Sequence, residues 1–159
     1  YIQAFPEYGP ERKGAPVTSY NRISDNPITL HCGITEPDVV VVLDPTLIHT
    51  VNVLEGLKED GILLVNTHLS PKELRETMNV SGRKIFTVDA YKIARETIGK
   101  DIPNTPMLGA LVRATGLLDF DRMVADTKAK LEEKFRHKPE VVEGNIQSIK
   151  RAYEEVKGE

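Results

Sequence analysis

Apolar residues in this 159-residue chain follow two rhythms, short β-rich runs up to about residue 90 and helical spacing afterwards. Residues 39–43 are an unbroken apolar run bounded by Asp38 and Asp44, the pattern of a strand covered on both faces at the centre of a parallel sheet. Residues 61–67 and 84–90 repeat it, each with a glycine or lysine at the entry and a polar exit at Asn66 or Asp89. Earlier, residues 15–24 alternate, with Val17, Ser19, Asn21 and Ile23 on one face and Thr18, Tyr20 and Arg22 on the other. The turn at 25–27 and the short run 28–33 then predict a hairpin. The first six residues, YIQAFP, read as the end of a strand.

Helical spacing fills the gaps. Residues 46–61 carry Leu47, Val51, Leu54 and Leu57. Residues 70–78 open with Ser70 as N-cap, Pro71 at the first helical position and Glu73 at the third. Residues 90–99 end on a capping glycine. Beyond them, residues 104–118, 119–135 and 139–156 predict three helices, with Gly109 allowing close approach in the first. Strand–helix alternation followed by helices predicts an α/β fold, a three-layer α/β/α arrangement with a mainly parallel central sheet and a helical C-terminal third, in one domain spanning 1–159.

Composition narrows the function. Hydrophobic residues make up 40% and charged residues 28%, as in ordinary soluble domains. A net charge of −3 gives no global attraction to nucleic acid or an anionic membrane, so neither is expected as a partner and any anion site must be local. The one cysteine, Cys32, has no internal disulfide partner and belongs to no zinc or iron–sulfur spacing. No apolar run reaches the length of about 20 residues needed to span a membrane, and no signal peptide is visible, so a cytoplasmic protein is expected.

Ligands of open α/β sheets bind beyond the carboxyl ends of the strands. The first exit is LDPT, ending at Thr46, and the second is VNTHLS at 65–70. A third candidate is NTPMLG, where Asn104 or Thr105 can cap a helix and leave amides facing a ligand. Each has a plain structural alternative, because Asp44, Ser70 and Asn104 also suit helix caps. The four histidines show neither metal spacing nor a partner nucleophile, and no Walker loop, nucleophile elbow or His-Glu-x-x-His occurs. One stretch remains unexplained. EYGPERKGAPV at 7–17 sets Glu11, Arg12 and Lys13 side by side in a turn stiffened by Pro10, Gly14 and Pro16.

YGPERKGAP, followed by EPDVVVVLDPTL, LLVNT and NTPMLGALVRATGLL, resembles the gamma subunit of 2-oxoacid:ferredoxin oxidoreductases, the pyruvate enzyme (pyruvate synthase) above all. The resemblance runs in order through nearly the whole chain. The family's opening strand, GRGGQG-type turn and helix have no counterpart, so the chain is expected to start at the second strand of the domain. The resemblance implies a subunit of an enzyme that converts pyruvate, coenzyme A and oxidised ferredoxin to acetyl-coenzyme A, carbon dioxide and reduced ferredoxin. Thiamine diphosphate, Mg2+ and [4Fe-4S] clusters are then expected on other subunits, with none bound by this chain alone and no catalytic or metal residue here. The partners implied are the alpha, beta and delta subunits, and ferredoxin through the complex; the isolated chain is expected to be inactive.

The resemblance also implies a part in receiving coenzyme A. Its phosphates need a local cationic spot on an acidic chain, which Arg12 and Lys13 supply, with Glu11 orienting Arg12 and Gly14 shaping the turn. Thr46, Asn104 and Thr105 complete the expected set of binding residues. Two alternatives stay open: a purely structural assembly subunit without ligand contact, and a gamma subunit for another 2-oxoacid (2-oxoglutarate or 2-oxoisovalerate). A free-standing nucleotide-binding oxidoreductase is weakened by the lack of a complete Gly-x-Gly-x-x-Gly.

Overall fold

The computed structural model describes residues 1–7, 9 and 14–159. Its main sheet takes the order β3-β4-β5-β6. Strands β3 (Val39–Val42), β4 (Ile62–Asn66) and β5 (Lys84–Val88) run parallel, with Val41 opposite Leu64 and Leu64 opposite Phe86. The two-residue β6 (Lys157–Gly158) adds antiparallel to β5, a strand the helical reading of the C-terminal third did not contain.

The pleat sorts the apolar runs between two cores. Leu63, Val65 and Ile85 face one side, against Leu74 of helix α1 (Pro71–Met78), Leu57 and Val80. Leu64 and Val88 face the other, against Ile93 of α2 (Ala90–Thr97), Met107 and Ala110 of α3 (Asn104–Thr115) and Ala152 of α5 (Pro139–Glu155). The sheet is thus sandwiched as the alternation predicts. Helix α4 (Phe120–Lys134) lies outside this, packing Phe120, Met123, Val124 and Leu131 against Ile146 and Ile149. The α1 start is as read from sequence: Ser70 Oγ accepts from the Glu73 amide at 3.3 Å while Glu73 accepts from the Ser70 amide at 2.8 Å. We predict that Ser70→Ala costs about 1 kcal/mol, read as a lowered denaturation midpoint.

Helices α3 and α5 run parallel in a shared register. Thr105 meets Asn145, Gly109 meets the Ile149 backbone, and Arg113 meets Tyr153, each partner 40 residues on. Gly109 is required there: an added Cβ would point straight into the Ile149 carbonyl oxygen. Around Tyr153 the Phe120 ring stacks at 3.8 Å between centroids, and the Arg113 guanidinium lies 5.2 Å from the ring centre. The close approach expected of Gly109 is therefore observed, with α5 as the neighbour.

Besides β6, three elements differ from the sequence reading. Residues 46–61 hold only a 3-10 helix, Pro45–His49, and then turns. The β-branched run Thr50-Val51 and Val53 disfavours helix, and Gly56 sits at φ +71 where a Cβ would strike the Thr35 carbonyl. Leu54 and Leu57 still reach the core. Residues 28–33 form no strand. Instead β2 (Ser19–Ile23) pairs antiparallel with β1 (Ile2–Pro6), and the 28–33 segment accepts side chains, the Leu30 carbonyl from Gln3 at 2.8 Å and the Gly33 carbonyl from Arg22 at 3.0 Å. Finally, β3 is an edge strand among the described residues, with Val41 36% exposed, and not the covered central strand its apolar run suggested.

Candidate functional site at the strand exits

The carboxyl ends of β3, β4 and β5 are tied together by one side chain. Asn66, only 1% exposed, donates from Nδ2 to the Leu43 carbonyl at 2.8 Å and accepts at Oδ1 from the Ala90 amide at 2.9 Å. Its orientation is fixed, because a carbonyl can only accept and an amide N–H can only donate. Asn66 thus joins the end of β3 to the first turn of α2. Polar residues on strands are the exception, and this one satisfies two backbone groups that a buried turn would otherwise leave unpaired. Asp89 caps the same helix by accepting from the Lys92 amide at 2.9 Å, which leaves little of that terminus free for a ligand.

Thr46 follows β3. Its amide and its hydroxyl both donate to Asp44 Oδ1, at 2.9 and 2.7 Å, so Asp44 is a helix cap and the Thr46 hydroxyl proton is committed to it. Tyr91, in the first turn of α2, is half-buried, and burial foremost, then the carboxylates of Asp44 and Asp101, raises its phenol above the ordinary value. Asp44 and Asp101 therefore both lie close enough to act on Tyr91, Asp101 with its charge paired to Arg95.

Asn104 and Thr105 begin α3, but neither caps it. Pro103 occupies the N-cap position, with no side-chain capping bond. Thr105 Oγ1 donates to Asn145 Oδ1 at 3.0 Å, so it is engaged with α5, whereas Asn104 is exposed. Pro106 has no N–H, so the Asn104 and Thr105 amides are the donors this terminus offers. Gly14 adopts φ +98 with open space around it, a conformation that suits glycine. Glu11, Arg12 and Lys13 lie outside the described residues.

Among the described residues no group of three or more His, Cys, Asp or Glu is placed to hold a metal. His31 Nδ1 lies 3.3 Å from Gln3 Nε2, and His49, His68 and His137 are exposed. No helix is long and apolar enough to cross a membrane among the described residues. A shallow groove of about 310 Å³ at the α4–α5 turn, floored by Phe135, Pro139 and Val142, includes none of the candidate residues. Sequence reasoning placed Asn66 at a strand exit without its linking role, and missed Tyr91 and Asp101. Only Asn66 carried a signal, a lone amide closing an apolar strand.

The family model for pyruvate ferredoxin/flavodoxin oxidoreductase matches residues 1–155. The chain belongs to this family. The resemblance carried by the four quoted segments is thereby confirmed. Pyruvate synthase subunit PorC of Thermotoga maritima is 47% identical over 157 residues, covering 99% of this chain and 80% of that protein. The common subunit gamma of pyruvate/ketoisovalerate oxidoreductases from Pyrococcus furiosus is 44% identical, covering 97% and 80%. The crystal structure of pyruvate oxidoreductase subunit PORC from Thermotoga maritima superposes with a TM-score of 0.82 at 45% identity, covering 99% of this chain and 81% of that one. The α/β architecture is the fold of that family member.

Proposed function

We propose that this chain is the gamma subunit of a pyruvate:ferredoxin oxidoreductase. The observation that carries the reading is the near full-length likeness to a pyruvate synthase subunit, 47% identity over 99% of the chain. The reaction of the assembled enzyme is pyruvate + coenzyme A + two oxidised ferredoxins → acetyl-coenzyme A + CO2 + two reduced ferredoxins + H+. The pyruvate carboxylate leaves as CO2, the acyl carbon gains a bond to sulfur, and two electrons pass to ferredoxin. This chain does not fit the redox group: one cysteine cannot supply the four thiolates of a [4Fe-4S] cluster. We assign thiamine diphosphate, Mg2+ and the clusters to alpha, beta and delta partners, and we assign the complex to the cytoplasm.

Within the complex we assign coenzyme A phosphate binding to Arg12 and Lys13, with the Asn104 and Thr105 amides as neutral donors at the start of α3. A chain of net charge −3 gives phosphate no global attraction, so a local cationic spot is needed, the role given to Arg12 and Lys13. Thr46, held by Asp44, is left to contact an uncharged part of the ligand. Glu11 and Gly14 orient and shape the turn. A charge-assisted phosphate contact is worth about 1.5–3 kcal/mol. Arg12→Ala or Lys13→Ala should therefore raise the apparent constant for coenzyme A roughly tenfold or more, with little change for pyruvate. The measurement is initial rate against each substrate in the full complex, with assembly checked by gel filtration. An intact complex with unchanged coenzyme A dependence in both variants would sink the ligand assignment.

A second reading, an assembly subunit that never touches coenzyme A, is favoured by the β1–β2 ribbon. Ile2 and Ile23 face each other there and are 77% and 62% exposed, bare apolar surface on a two-stranded sheet that is marginal alone. Failed assembly of the Arg12→Ala complex would support this reading. The common subunit of the Pyrococcus relative serves ketoisovalerate as well as pyruvate enzymes, and the same assay run with 2-oxoisovalerate separates the substrates.

A further inference from the structure

The two edges of the main sheet are treated differently. The outer edge of β3 has no paired strand among the described residues, whereas the outer edge of β5 is covered by residues 157–159. A strand of two exposed residues adds almost no core. Its position is nonetheless specific. The Glu159 amide points at the Ile85 carbonyl at 3.4 Å. Gly158 packs against the Phe86 ring, where an added Cβ would fall 2.3 Å from a ring carbon. Beyond it, the Glu159 carboxylate pairs with Nε and Nη2 of Arg75.

Arg75 is built to wait for that carboxylate. It leaves α1 and donates from Nη1 to the Val80 and Gly82 carbonyls, at 3.1 and 2.8 Å, and from Nη2 to the Arg83 carbonyl at 3.0 Å. These bonds fix the guanidinium through the turn after α1, without help from the tail. The tail then adds one ion pair to a cation already in place, an arrangement with little ordering cost. That pair is partly exposed, so it holds loosely and can release.

We propose that residues 157–159 are a strap closing the outer edge of β5, latched by Arg75 and Glu159, which keeps two copies of the chain from pairing through that edge. The occupant excluded is a second β5. The edge takes its covering strand antiparallel, and a two-fold axis perpendicular to the strand at that edge would place β5 of another copy antiparallel in the same slot. The sequence of β5, KIFTV, has one charge and four β-favouring residues, the composition of a strand that pairs with itself when exposed.

The test compares the full chain with a form lacking residues 157–159, and with Glu159→Gln and Gly158→Ala, which keep the backbone. Hydrogen exchange is read at residues 85–87, and self-association by sedimentation velocity across a wide concentration range. The expected result for the shortened chain is exchange at 85–87 roughly tenfold faster or more, together with concentration-dependent dimers beyond any formed by the unaltered chain. The two point variants should show smaller changes in the same direction. Unchanged exchange at 85–87, or faster exchange without added association, overturns the proposal. Should the shortened chain unfold, the point variants decide by the same two readouts.

Discussion

Gly109→Ala should destabilise the chain by about 1–3 kcal/mol, and Gly109→Val by more. Two effects oppose each other. Replacing glycine by alanine inside a helix favours folding by about 1 kcal/mol. Against it, the new Cβ would sit on the Ile149 carbonyl oxygen, 2.9 Å from its carbon and 3.1 Å from its Cα. These are backbone atoms of α5, so no rotamer change relieves the clash and the helix must move. Movement of α5 disturbs Ile149 and Ala152, both fully buried and in different cores, so the loss outweighs the propensity gain. Gly99→Ala is the contrasting variant: it has open space and φ +73, and the expected cost is only about 1 kcal/mol. Denaturant titration of both variants measures the difference. A Gly109→Ala loss below that of Gly99→Ala would show that the helix contact is softer than its geometry.

Signals that act within a few residues were legible. The Ser70-Pro71-Glu73 start, the Asp44 cap and the glycine after α2 each depend on hydrogen bonds or backbone angles within one turn, and each is found. The three parallel strands were legible because burial on two faces needs long apolar runs. What failed depended on distant parts of the chain. The valine run of β3 looks the same whether a neighbour covers its outer edge or not. Residues 19–23 chose the 2–6 segment over 28–33, a choice made by side chains such as Arg22 and Gln3, which bond each other at 2.7 Å across 19 residues. The helical spacing at 46–61 concealed a stretch whose β-branched residues resist helix. Lys157–Gly158 has no strand signature, since its pairing is set by a latch 84 residues away.

The candidate site divides along the same line. Gly109 could be picked out as a close-approach residue, though its neighbour could not. Asn104 and Thr105 were correctly placed at a helix start, but Pro103 takes the cap and Thr105 turns to Asn145, because α5 lies alongside. Thr46 sits at its strand exit with its hydroxyl drawn to Asp44. Asp101 reaches Tyr91 from a loop 57 residues after Asp44, a convergence that appears only on folding.

The same edge carries the second large effect expected. Asn66→Leu should cost about 2–5 kcal/mol, because it removes partners from one buried and one part-buried backbone group at about 1–3 kcal/mol each. Leucine is similar in size, so a cavity is not the cause. The groups left bare are the Leu43 carbonyl and the Ala90 amide, which belong to the exit of β3 and the start of α2. The loss should therefore be local before it is global: hydrogen exchange should quicken at residues 44–47 and 90–92 ahead of the β4 core. In the assembled enzyme the consequence should follow Thr46, which hangs from the β3 exit, and appear in the coenzyme A dependence more than in that of pyruvate. Chemical denaturation of Asn66→Leu gives the first quantity and exchange mapping the second. A loss below about 1 kcal/mol, with exchange unchanged at both segments, would show that water replaces the amide at this position and that Asn66 does not organise the strand exits.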